Sequence, residues 1–299
     1  MFKKSPPIPV RQRVAPDLFT LADHERSAQR QLDANAWAYF SGGAGDEITL
    51  RANRSAWDEL ALVPRVLRPL ADGHTRCTLL GRALAHPILL APVAYQRLAH
   101  SDGEIASAYA AAALGAGLVL SMQASSPLED VAVAMHGDPG AGPLWLQLYL
   151  QHDRTLVREL IHRAETAGYE ALVITVDAPT SGVRDRERRA GFALPPEVQA
   201  VNLASMAPAS QAQAAPGHSA LFDNLLRHAP TWDDIAWLQA QTRLPVLLKG
   251  VLHPEDARLA LAQGIDGLIV SNHGGRTLDT SVSTARALPR IADAVGGAL

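Results

Sequence analysis

The chain reads as an α/β protein on a (β/α)8 TIM barrel, with about six βα units present and a helical segment ahead of them. Three observations carry that expectation. From residue 88 onward, short apolar runs alternate about six times with segments of helical period. The runs are continuous rather than alternating, as in parallel strands covered on both faces. Nearly every run ends in polar or chemically special residues. A doubly wound open sheet is the competing architecture, but it gathers its ligands at one crevice, whereas a barrel draws its site from many strand ends. No glycine-rich dinucleotide fingerprint follows the first strand, and Gly115-Ala116-Gly117 is too short a match.

Residues 1–16 are rich in proline and predict a flexible arm; 17–299 predict a single domain. Leu18, Leu21, Ala28, Leu32, Ala36 and Trp37 recur at helical spacing and predict one helix from Asp17 to about Tyr39. Ser41-Gly42-Gly43-Ala44-Gly45 ends it, and a second helix is expected over Glu47 to Leu60. Proline and glycine then punctuate the chain as far as His86, with room for short strands. The six units follow. Their strands are Ile88–Ala91, Leu118–Leu120, Leu144–Leu146, Ala171–Ile174, Val246–Leu248 and Gly267–Val270. Their helices are expected from Asp102 to Leu114, Pro127 to Met135, Asp153 to Ala167, Thr231 to Gln241, Glu255 to Gln263 and Thr284 to Ala294. One loop, about 180–230, is far longer than a βα loop and reads as a lid with a low-complexity middle near Met206 to Pro216.

Composition narrows the function classes. A hydrophobic share of 47% allows a large core, and a net charge of −3 argues against a nucleic-acid binder. Cys77 is the only cysteine, so no disulfide forms within the chain and a reducing compartment is permitted. The basic start lacks an apolar h-region, and Ala106 to Leu120, broken by Gly115 and Gly117, reads as helix, turn and strand rather than a membrane span. A soluble, cytoplasmic protein is expected. No metal-ligand set is expected.

The densest chemistry is Ser271-Asn272-His273-Gly274-Gly275-Arg276-Thr277-Leu278-Asp279, placed at the end of a buried strand. His273 suits proton transfer near neutrality, and Arg276 offers a fork that matches a carboxylate. A base and a carboxylate clamp side by side suggest removal of a proton next to a bound acid. The other strand ends add Ala94, Ser121, Gln147, Tyr149, Thr175, Asp177, Lys249 and Ser271, with Arg184 a little further on. Ser121, Gln147 and Thr175 suit a polar heterocycle, and Asp177 suits orienting and charge-stabilising His273. Each residue has a plainer reading alone: a helix cap, a core edge, a solvated strand end. In a barrel all of them face one mouth, where together they make a substrate and cofactor site.

The pattern resembles the FMN-dependent α-hydroxy-acid oxidase/dehydrogenase family, which includes glycolate oxidase, lactate oxidase and mandelate dehydrogenase. The motif from Ser271 to Asp279 carries most of it. Ala91-Pro92-Val93-Ala94, Gln147-Leu148-Tyr149, Thr175-Val176-Asp177-Ala178-Pro179, Leu248-Lys249-Gly250 and the segment Tyr39 to Asp46 support it. The resemblance implies FMN at the barrel mouth and oxidation of a small L-2-hydroxy acid to the 2-keto acid. It implies His273 as base with Asp177 as partner, and Tyr39, Tyr149, Arg184 and Arg276 as substrate-binding residues. It implies Val93, Ala94, Ser121, Gln147, Thr175, Lys249 and Ser271 as cofactor-binding residues, with Lys249 near the flavin N1/O2 edge. Oxygen, a quinone or a cytochrome would accept the electrons, and a homo-oligomer, tetramer or octamer, is implied.

Gln123 stands where some members carry an aromatic residue, and the small Ala94 leans the substrate toward lactate or glycolate. The resemblance further implies a seventh and an eighth strand past Leu299, bearing the phosphate-binding Asp-Gly-Gly-x-Arg and Gly-Arg segments. Two alternatives stand beside this reading. One is a truncated, non-enzymatic remnant unable to hold FMN. The other is a different FMN barrel, such as a type 2 isoprenoid diphosphate isomerase, against which the Arg184, Arg276 and His273 set argues.

Overall fold

Runs of large aliphatic residues bounded by glycine, proline and polar residues favour buried strands, and in a computed structural model they form a parallel sheet. The structure describes residues 17–205 and 229–298. The proline-rich arm and the low-complexity run therefore lie outside the described residues. Six strands pair in parallel and in chain order: β3 (Leu89–Leu90), β4 (Gly117–Ser121), β5 (Leu144–Leu148), β6 (Ala171–Thr175), β7 (Val246–Lys249) and β8 (Gly267–Ile269). A doubly wound sheet reverses its strand order at a switch point; this sheet never does. It comprises six consecutive strands of a (β/α)8 barrel.

Each strand leads to a helix: α4 (Gly103–Ala113), α5 (Leu128–His136), α6 (Arg154–Ala167), α8 (Trp232–Gln239), α9 (Pro254–Ala262) and α10 (Thr284–Val295). Their starts follow the expected chemistry. Asp153 caps α6, its carboxylate accepting from the N–H groups of Thr155 and Leu156 at 3.0 and 3.1 Å. Thr231 precedes α8, with Asp234 accepting from its N–H at 2.7 Å.

Strand side chains alternate in direction, and the alternation creates two apolar layers. Leu118, Leu120, Leu146, Leu172, Ile174 and Leu248 pack against the helices. Val119, Trp145, Ala171, Val173 and Leu247 form the inner layer. Before the sheet, β1 (Cys77–Leu79) and β2 (Arg82–Leu84) make an antiparallel hairpin. Its Leu79 packs on the inner layer, Arg82 pairs with Glu170, and Arg82 donates to the Ala141 carbonyl at 2.6 Å. Both partners precede strands, so the hairpin closes the N-terminal end of the sheet and leaves the C-terminal end open.

The N-terminal region departs from the single expected helix. It divides into α1 (Leu21–Gln31) and α2 (Ala34–Ser41). Leu32 is extended at φ −79° and ψ 145°, and the Asp33 carboxylate caps α2 by accepting from Ala36 N–H at 2.7 Å. No residue of α1 is buried, so the apolar spacing read there does not mark a core face. After α2 comes α3 (Ile48–Asp58). The long loop also holds order where only a run of charges was legible: α7 (Asp185–Ala190) packs beside α2, with Arg186 bound to Glu47 at 2.6 Å.

Candidate active site

Strand parity builds the floor of the site. Ser121, Gln147, Thr175 and Lys249 have the parity of the inner layer and lie one step beyond it at the C-terminal strand ends. All four are buried. They are linked sideways. Ser121 Oγ donates to Gln147 Oε1 at 3.2 Å, and Gln147 Nε2 donates to Thr175 Oγ1 at 2.9 Å. Lys249 Nζ donates to Ser271 Oγ at 3.2 Å. Burial pushes the Lys249 amine down from its ordinary value, and the Asp177 charge opposes that shift. An ammonium has three donors and Ser271 engages one, so Lys249 has donors to offer an electron-rich edge above it. This floor suits a planar heterocycle with donors and acceptors along one edge.

The wall holds His273 and Asp177. Asp177 follows β6, and His273 opens a turn, His273–Gly275, that follows β8. His273 Nδ1 lies 2.8 Å from Asp177 Oδ1. A carboxylate only accepts, so Nδ1 carries the proton and the Nε2 of the neutral ring keeps its lone pair. Tyr149 OH sits 3.3 Å from that Nε2. Burial, and then the Asp177 charge, push the Tyr149 hydroxyl up to about 12, so it stays a donor. Asp177 Oδ2 is buried with no partner among the described residues. Gly250 explains how Asp177 comes so close: a Cβ there would stand 2.5 Å from Asp177 Cβ and Cγ, and its φ of +112° favours glycine.

His273 is held at φ 58°, followed by two glycines at φ 66° and 72°. The turn is braced from the N-terminal region. The Gly275 carbonyl accepts from Ala44 N–H at 2.8 Å, and Asp279 Oδ1 accepts from Thr49 N–H at 2.8 Å. Asn272 and Asn53 exchange amide hydrogen bonds of 2.7 and 2.9 Å. These contacts explain the length of the motif: Asn272 and Asp279 dock it, and His273 and Arg276 are what it presents.

Arg276 NH1 donates to the carbonyls of Tyr39 and Gly42 at 2.6 and 2.7 Å, and its guanidinium carbon lies 5.1 Å from the centre of the Tyr39 ring. Burial pushes the Tyr39 hydroxyl up to about 12. Phe192 stacks on Tyr39 at 5.0 Å, and Tyr95 meets it edge-on at 6.1 Å. Arg184 and Arg276 converge on one carboxylate, as expected of a clamp, but that carboxylate belongs to the chain: it is Glu187 of α7. Glu187 escaped the sequence reading because it sits inside the charged run 184–189. Its spacing of three residues after Arg184 was the available signal. Val93 and Ala94 lie on the loop after β3, tied to the end of β4 where Tyr95 N–H donates to the Gln123 carbonyl at 3.2 Å.

A model of the FMN-dependent dehydrogenase family matches residues 28–299. The chain is 50% identical over 285 residues to an L-lactate oxidase of Alicycliphilus denitrificans, spanning 95% of this chain and 76% of that protein. It is 39% identical over 284 residues to glycolate oxidase 1 of Zea mays, with 95% and 76% covered. Its structure matches that of a variant mandelate oxidase solved with (S)-mandelic acid at a TM-score of 0.81 and 41% identity, covering 93% of this chain and 75% of that one. The chain belongs to the FMN-dependent dehydrogenase family; it is an FMN flavoprotein and an oxidoreductase.

Proposed function

We propose that this protein oxidises a small L-2-hydroxy acid, of the size of lactate or glycolate, to the 2-keto acid. The observation that carries the reading is His273 held by Asp177 at 2.8 Å, with its Nε2 turned to Tyr149 and the two arginines nearby. His273 Nε2 takes the proton of the substrate hydroxyl, and Asp177 stabilises the imidazolium that results. This role holds whether the α-hydrogen leaves as a hydride or as a proton. Arg276 and Arg184 bind the carboxylate, and Tyr149 and Tyr39 donate to the hydroxyl and carboxylate oxygens. FMN, when bound, supplies the acceptor for the two electrons. Ser121, Gln147, Thr175 and Ser271 would hold its ring edge and ribityl hydroxyls, Lys249 would face N1 and O2, and the Val93–Ala94 backbone would line N5. The buried donor row and the unspent donors of Lys249 fit such a ring.

The aromatic side of the mouth, Tyr39 with Phe192 and Tyr95 about it, favours a short substituent on the acid. The same reading takes residues 17–299 as one domain, acting in the cytoplasm as a homo-oligomer. No helix among the described residues is long and apolar enough to cross a membrane. The test is anaerobic mixing of the FMN-loaded protein with lactate, glycolate and mandelate. Bleaching by the two small acids ahead of mandelate is expected. A yellow protein that none of the three bleaches would refute the reading.

A further inference from the structure

The clamp holds an anion of its own. Arg184 Nε donates to Glu187 Oε1 at 2.6 Å, and Arg276 NH2 donates to the same oxygen at 3.1 Å. The Glu187 side chain is only 10% exposed, and those of Arg184 and Arg276 are 22% and 20% exposed. Glu187 reaches this place because α7 folds beside α2, while Arg276 arrives after β8 with its NH1 already engaged by the Tyr39 and Gly42 carbonyls. The shared oxygen engages one donor of each guanidinium and leaves others for a ligand. Arg184 and Glu187 also line a cleft with Gly182, Val183 and Phe192. Two guanidinium groups and one carboxylate sum to a single positive charge.

We propose that Glu187 is a specificity-determining residue: it sets the clamp's charge to suit acids carrying one negative charge and to disfavour those carrying two. The proposal rests on the reading of Arg184 and Arg276 as the carboxylate site. A monocarboxylate neutralises the cluster. A dicarboxylate brings a surplus negative charge against a carboxylate that is largely shut off from water, where charges are weakly screened. Glu187→Gln keeps an oxygen for both arginines and removes that opposition. A structural brace alone would not have this signature, because its loss weakens the binding of all anions alike.

The test uses the FMN-saturated protein and two three-carbon acids without a hydroxyl to oxidise, propionate with one charge and malonate with two, titrated calorimetrically at pH 7.5. In the parent, propionate is expected to bind at least as tightly as malonate. In Glu187→Gln the Kd ratio of malonate to propionate should fall about tenfold. Glu187→Asp, which keeps the charge, should hold the parent ratio. An unchanged ratio in Glu187→Gln, with propionate still bound, overturns the proposal and leaves the clamp standing. A parent that binds malonate tenfold more tightly than propionate overturns it without any variant. If the parent binds neither acid, or if Arg276→Lys leaves both affinities untouched, the clamp reading falls and the proposal with it.

Discussion

Removing the charge behind the base tests the mechanism at its narrowest point. Asp177→Asn preserves size and shape. In the parent, Asp177 Oδ1 is 2.8 Å from His273 Nδ1, and the two side chains are 9% and 22% exposed. Taking a separation of about 4 Å between charge centres and an effective dielectric of about 20–40, the carboxylate stabilises an imidazolium by about 2–4 kcal/mol. That corresponds to a loss of about 30- to 10³-fold in the step that charges His273. The amide adds a second fault: with its NH2 toward Nδ1 it imposes the opposite tautomer and takes away the Nε2 lone pair. The assay is anaerobic stopped-flow bleaching of the FMN-loaded protein by lactate at saturation, with FMN content and melting temperature measured in parallel. FMN content should match the parent, since Asp177 is the partner of His273 rather than part of the donor row. A bleaching rate within threefold of the parent would remove Asp177 from the mechanism.

Three further outcomes are expected. Arg276→Lys replaces a fork that serves the Tyr39 carbonyl, the Gly42 carbonyl and Glu187 at once; substrate binding should weaken about tenfold or more, and steady-state constants equal to the parent's would count against the clamp. Gly250→Ala adds a Cβ that would stand 2.5 Å from Asp177 at a φ of +112°, so a loss of about 2–3 kcal/mol is expected; a parent-like denaturation midpoint would show that the close approach is not rigid. The third concerns alkaline pH. Tyr39 and Tyr149 are pushed to about 12 by burial, whereas an unfolded chain loses such protons near 10. The stabilising effect is therefore complete below pH 10 and is lost as pH rises toward 12, amounting to about 3 kcal/mol for each tyrosine. Tyr39→Phe and Tyr149→Phe should each flatten that decline, and parallel curves would contradict the burial assigned to them.

The parallel sheet and its strand ends were legible before any coordinates, because each rests on a local pattern; Asp177 and His273, 96 residues apart, could be put together only because both stand at strand ends that share one mouth. Continuous aliphatic runs mark strands covered on both faces, and the two-residue period then forces Ser121, Gln147, Thr175 and Lys249 onto the side of the inner layer. The motif from Ser271 to Asp279 is local as well, and it names His273 and Arg276 together. The break between α1 and α2 was also within reach, since Asp33 is a good capping residue, but the apolar spacing across it concealed the stop. Glu187 was not within reach. Its pairing with Arg276 joins residues 89 apart and exists only because α7 packs beside α2, where Arg276 from the turn after β8 also docks on the Tyr39 and Gly42 carbonyls. Periodicity and chemical type follow from neighbours a few residues away, so the chain's letters settle the strands and the residues that stand at their ends. Which buried charges meet depends on how distant segments converge, so the occupant of the clamp emerged only once the chain was folded.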